Sequence, residues 1–274
     1  MPEYNFSRFA YFDTNIISHL AKNKHLWPKL FEFLTQNGLT LGISGAQVAE
    51  LSDAKSLHQT LAEMFVIVPS ATLKTWDVIL DEEVKAHPQK RTDSLLYYPL
   101  NAILFEPNGL QKLQYFLSSK DLDDARKDQL YHARQFAKRH AELKGNFPQS
   151  KTGKYSRDQA DEFAWIMVIQ WLGNTHRDFL AGFQNRIVSF HPEVFLSIRL
   201  FAHVIFYKYY LGRREPSKTS DFGDLAHLSV IPYCELAIME RDLCNVLNQI
   251  KRNQDTLAST VVRDIDFFED WVWH

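Results

Sequence analysis

Apolar positions along the chain follow two regimes. Near the amino end, short continuous runs alternate with stretches of helical spacing. Phe9 to Phe12 is an aromatic run ending in Asp13-Thr14-Asn15, after which Ile16, Ile17 and Leu20 recur on one helix face. Pro28 opens a second helix within LWPKLFEFLTQNG and Gly38 closes it. Leu39 to Ser44 reads as a buried strand, Ala46 to Leu51 and Leu57 to Phe65 as helices, and Phe65 to Pro69 as a third strand. The order β-α-α-β-α-α-β predicts a parallel sheet with crossover helices.

From about Thr72 to Leu211 the spacing is mostly helical, broken at Pro88, Pro99, Pro107 to Gly109, Gly145 to Gly153 and Gly173-Asn174. Asp161 to Leu172 is apolar nearly all round and predicts a buried helix. Lys144 to Tyr155 is polar, with two glycines and a proline, and predicts a mobile loop. Alternation then returns. Asp224 to Ile231 reads as a short helix stopped by Pro232, Cys234 to Glu240 as a strand, and Thr256 to Val262 as a last strand. Between those strands, Asp242 to Arg252 is a helix with Leu243, Val246, Leu247 and Ile250 on one face. The expected fold is α/β, with the sheet built from residues 1–71 and 212–274 and a mostly helical insertion at 72–211.

Composition narrows this only slightly. With 45% hydrophobic and 23% charged residues among 274, the chain can bury a core and is not expected to be disordered. Cys234 and Cys244 have neither metal-ligand nor CxxC spacing and read as reduced thiols. The start, MPEYNFSRFAYFDTN, lacks the basic and apolar segments of a secretory signal, and Val194 to Leu211 carries Arg199, His203 and Lys208, which argues against a membrane span. A cytoplasmic location is expected. The net charge of −2 exerts no general pull on nucleic acid, but the stretch from Arg126 to Arg157 holds nine Lys or Arg against Asp128 and Glu142. Within it, Lys138 and Arg139 are candidate phosphate contacts. A solvated helix face explains such a run equally well.

The candidate chemistry lies in four separated acids, each close behind an apolar run or a turn: Asp13, Glu50, Asp224 and Asp242. An ionised carboxylate at the end of a buried strand is costly to keep alone, so several that converge usually share a cation. Carboxylate oxygens suit Mg²⁺ or Mn²⁺, whereas zinc would want Cys or His. Plainer readings stand beside this one. Asp13 and Asp224 are also good helix caps, Glu50 could be a surface residue, and His227 reads as a satisfied helix histidine. Asp158, Asp161 and Glu162 form a rival acidic group, read as a helix-dipole cap.

The words around these acids resemble those of the PIN-like nuclease superfamily. FAYFDTN matches its strand ending in Asp-Thr-Asn, and ISGAQVAEL its Ser44 with Glu50 six residues on. SDFGDLAHLSVIPYCELAIM then matches a third acid, Asp224, that opens a helix leading into a strand, and MERDL supplies the fourth. At that last position Asp242 is preferred and Glu240 is the alternative. The likeness covers about Phe9 to Ser70 and Ser220 to Val262. It implies a Rossmannoid three-layer core and an endoribonuclease using Mg²⁺ or Mn²⁺, with Thr14, Asn15, Ser44 and Asp221 in support and Arg241 steadying a phosphate. It also implies an RNA substrate, with single-stranded DNA as the alternative. A role as toxin or defence effector and an inhibitor protein belong to the same expectation, and apolar helices such as Val194 to Leu211 could serve a homodimer as easily as a core. Two other classes remain. A haloacid-dehalogenase phosphatase would need an Asp where Asn15 stands, and a non-catalytic protein of the same fold would bind RNA or a partner through the insertion.

Overall fold

In the computed structural model, short buried runs become strands because both of their faces are covered. The structure describes residues 8–271 except 92–94, 185–188, 213–224 and most of 121–153 (121, 123, 125, 128–130, 132, 133, 135–143, 145, 146 and 150–153). Six strands form one sheet: β1 Phe9–Phe12, β2 Thr40–Ile43, β3 Ser70–Leu73, β4 Leu96–Pro99, β5 Leu236–Met239 and β6 Val261–Asp264. Their order is β4-β3-β2-β1-β5-β6, parallel throughout except for β4, which runs antiparallel along the β3 edge.

The helices are α1 Thr14–Lys22, α2 Trp27–Gln36, α3 Gly45–Leu51, α4 His58–Ile67, α5 Trp76–Ala86 and α6 Gly109–Leu117. They continue with α7 Gln159–Thr175, α8 Arg177–Gln184, α9 Leu196–Ile205, α10 Arg241–Asn253 and α11 Ile265–Glu269. Strand alternation sorts them into two layers. Ala10, Phe12, Leu236 and Ile238 point into one core with α1, α2, α4 and α6; Phe9, Tyr11, Ala237 and Met239 point into the other with α5, α7, α9 and α10. With both faces buried, the strands read as continuous apolar runs. Phe268 on α11 seals one edge, meeting Phe12 and Phe33 edge-to-face at centroid distances of 5.8 and 5.6 Å, contacts worth roughly 0.5–1.5 kcal/mol each beyond the area they bury.

Three expectations change. The run Phe65 to Val68 ends helix α4 and is no strand; the third strand lies beyond Pro69, at Ser70–Leu73. A short apolar run fits a helix end as well as a strand, and Pro69 forces Val68 into extended backbone, which stops the helix there. Second, the segment read as an insertion is built into the fold. It supplies β4 and, in α5, α7 and α9, much of one covering layer. Third, α7 is not buried all round: Trp165 and Ile169 are 45% and 48% exposed, on the face opposite Phe163, Ala164, Met167 and Val168. Lys144 to Tyr155 lies partly outside the described residues, and its described ends are tied together by the Tyr155 hydroxyl, which donates to the Lys144 and Phe147 carbonyls. Among the described residues, no helix is long and apolar enough to cross a membrane.

Candidate active site

Chain order reverses between β1 and β5. The chain leaves β1 for β2 on one side, whereas β5 adds on the other, and in open parallel sheets the crevice at the carboxyl ends of such a pair is where ligands bind. Asp13 and Glu240 are the residues that follow these two strands. The Asp13 amide continues the sheet by donating to Ile238 O at 2.9 Å, and its carboxylate caps α1 by accepting from the Asn15 amide. Glu240 is the residue before α10, and the Asn15 side-chain amide donates to its carboxylate. One Asp-Thr-Asn turn therefore holds both acids.

Glu50 enters from α3, whose start is fixed by a capping box. The Gln47 amide donates to Ser44 Oγ at 3.2 Å and the Ser44 amide to Gln47 Oε1 at 3.0 Å. The Gln47 side-chain amide also donates to the Phe12 carbonyl, which locks α3 against the end of β1. Glu50 Oε1 lies 2.9 Å from His227 Nε2 and 3.4 Å from Arg126 Nη1, while Arg126 Nε donates to Asp53 at 3.1 Å. His227 is buried at 6% exposure, and its Nδ1 has no hydrogen-bond partner among the described residues. With Glu50 ionised, the proton on the ring belongs on Nε2. The Thr14 hydroxyl, also buried, sits by Glu50 without a well-aligned hydrogen bond.

The two carboxyls respond oppositely to one pocket. Burial, joined by the charge of Glu240, raises Asp13 above the usual Asp value, against relief from His227 and from the backbone N–H groups of Asn15 and Glu240. Burial also opposes ionisation of Glu50. There, however, the hydrogen bond and charge of His227, with Thr14 and Arg126, outweigh it and hold the carboxyl below the usual Glu value. Beneath them the Tyr11 phenol, raised well above its ordinary value by burial and by the charge of Asp13, lies beside Ser44.

The expected residues are distributed as follows. Asp13, Thr14, Asn15, Glu50 and Glu240 share one crevice, with Ser44 under it. Glu240, and not Asp242, is the acid coupled to Asp13: Glu240 accepts from Asn15 and its charge acts on Asp13, whereas Asp242, in the first turn of α10, lines a separate cavity. Asp221, Asp224, Lys138 and Arg139 lie outside the described residues. Of the basic stretch, Arg126 pairs with Glu50 and Asp53, and Lys127 with Asp124. Arg241 pairs with Asp266 at 2.7 Å on the surface. Asp161 is an ion-pair hub more than a helix cap, receiving Arg199 and His203 at 3.1 Å each.

Three contributors escape a reading by motif. Gln47 had a signal in the Ser-x-x-Gln capping pattern; His227 and Arg126 had none, since their partner is 177 and 76 residues away in the chain. As a metal centre, the donor chemistry fits in kind, because the groups are hard carboxylate oxygens and, among the described residues, neither Asp13 nor Glu240 has a Lys or Arg at ion-pair distance. Among the described residues, however, no three His, Cys, Asp or Glu side chains are grouped for one ion. No family model, curated protein or solved structure matches the chain.

Proposed function

We propose that this chain is a metal-dependent endoribonuclease hydrolysing phosphodiester bonds at the crevice of Asp13, Glu240 and Glu50, within a PIN-like fold. One observation carries the reading: two carboxylates that follow the strands on either side of the β1/β5 reversal interact, one half-buried and one at the surface, and Asp13 is raised by burial and by its neighbour's charge. Such a site gains from a cation. Asp13 and Glu240 would hold Mg²⁺ or Mn²⁺, with Glu50 and Asp224 as the remaining acids. When bound, the ion would supply charge compensation for the phosphate and a water of lowered pKa. The chain's own residues do the positioning. Asn15 orients Glu240, the Asn15 amide orients Asp13, and His227 fixes Glu50. Phe12, Ile16 and Ile238, all buried, exclude bulk water from the floor.

A second reading is a protein of the same fold that binds RNA without cutting it. It is favoured by the state of Glu50, an acid already neutralised by His227 and Arg126. Labelled RNA and single-stranded DNA, incubated with Mg²⁺, Mn²⁺ or EDTA, separate the two. The expected result is RNA cleavage in the presence of metal, abolished by EDTA and by Asp13→Asn. Cleavage indifferent to Asp13→Asn would remove the site from consideration, and RNA bound but intact in every metal would select the binding protein.

A further inference from the structure

A cavity of about 550 Å³ opens on the far side of the start of α10 from the acid crevice. Its size is that of a small-molecule or single-nucleotide site. Asp242, Asn245 and Gln249 reach it from one face of α10, and Arg157, Tyr207 and Lys208 from the opposite wall. The latter two belong to a π-helical turn, Phe206–Leu211, that continues α9; π turns break the regular ladder and recur at functional sites.

Two cations, Arg157 and Lys208, line this cavity. Neither Arg157 nor Lys208 has a carboxylate at ion-pair distance among the described residues, and Lys208 Nζ instead lies 5.9 Å from the centroid of the Tyr209 ring. The Tyr207 side chain is buried, its hydroxyl makes no well-aligned hydrogen bond, and the charge of Arg157 acts on it. Two cations and two side-chain amides thus line one space, a donor set that matches the oxygens of a phosphate. Asp242 adds the acceptor to which a ribose hydroxyl could donate. Position matters too. Glu240 accepts from Asn15 beside Asp13, and Asp242 is only two residues on, so the Cα atoms of the two acids lie within about 7 Å of each other.

We propose that this cavity is a subsite for single-stranded RNA, holding a phosphate and its ribose next to the nucleotide at the acid crevice. The proposal rests on the nuclease reading for its purpose but not for its test. Arg157 and Lys208 take the phosphate, and Asp242 takes the 2′-hydroxyl.

The probe is a fluorescein-labelled single-stranded RNA 12-mer, with its DNA counterpart, titrated against the full chain in EDTA so that no cleavage occurs. Anisotropy over a salt series should show RNA binding weakened at least tenfold in R157Q/K208Q. The slope of log K against log salt should be shallower by about 0.7, the value for one phosphate neutralised on a single strand. Lys208→Arg should bind as the wild type does, and D242N should lose most of the preference for RNA over DNA. Should the double variant misfold, Arg157→Gln alone, at a more exposed position, should still weaken binding about threefold. Equal affinity and slope in wild type and the charge variants would overturn the subsite even if the protein cleaves RNA. Loss of binding in those variants would sustain it even if no cleavage is found.

Discussion

Asp13 and Glu50 occupy one pocket yet carry opposite burdens, and the difference lies in their company. Asp13 has another carboxylate beside it, whereas Glu50 has an imidazole and a guanidinium. For Asp13 the folded pKa is raised, so its contribution to stability is complete below the usual Asp range and is lost as pH rises through the raised value. Near neutral pH it is a liability that a cation would relieve. Asp13→Asn should therefore abolish cleavage, by at least about 100-fold, while leaving the metal-free melting temperature unchanged or higher, by about 1 kcal/mol of stability. A clear drop in melting temperature would show that the charge is a structural asset. Arg126 occupies Glu50 from a segment distant in sequence, so Arg126→Ala should raise the affinity for Mg²⁺ or Mn²⁺ a few-fold. Isothermal titration reads this directly, and an unaltered affinity would mean that guanidinium and metal do not compete.

Elements carry the site through their ends. Strand β1 ends in the Asp13 cap, α3 begins with the Ser44 and Gln47 capping box, and both place an acid without help from a loop. Gln47→Ala breaks the box and the tie to the Phe12 carbonyl at once. A loss of about 1–2 kcal/mol in chemical denaturation is expected, with weaker activity, because α3 can then drift relative to Asp13. A harsher test of packing is Gly109, the first residue of α6. A Cβ there would lie 1.9 Å from the Ile103 carbonyl oxygen, a backbone atom that cannot swing aside. Gly109→Ala should cost about 2 kcal/mol or more, where an ordinary Gly→Ala at a helix start would cost nothing. The elements were legible in the sequence where patterns were long or capped, as in α2, α3 and α10. Phe65 to Val68 misleads because four apolar residues carry no period of their own, and only the packing of α4 decides their form.

At the scale of the molecule, the segment between β3 and β5 is braced within itself by buried polar groups. Glu83 on α5 accepts from the Ser197 amide and hydroxyl on α9 at 2.8 and 2.6 Å and from the Tyr233 hydroxyl, and it is buried at 1% exposure. Burial pushes its carboxyl up to about 7, despite those hydrogen bonds and the nearby Arg91. The sign follows: a raised acid stabilises the fold fully below about pH 4.5, and that stability is lost as pH rises through about 7. The loss amounts to at most about 3 kcal/mol at 1.36 kcal/mol per pKa unit. Urea melts between pH 4.5 and 8 should show this slope and Glu83→Gln should flatten it; an identical slope in the variant would assign the effect elsewhere. Sequence alone determined the α/β class with its mostly parallel sheet, the end of β1 and the Asp-Thr-Asn turn after it, because apolar period and capping chemistry act over a few residues. Tertiary structure decided that Glu240 acts on Asp13 while Asp242 lines a separate cavity, that His227 and Arg126 occupy Glu50, and that β4, α5, α7 and α9 belong to the sheet and its core. Those outcomes depend on helix phase and on contacts between residues far apart in the chain, which no local pattern encodes.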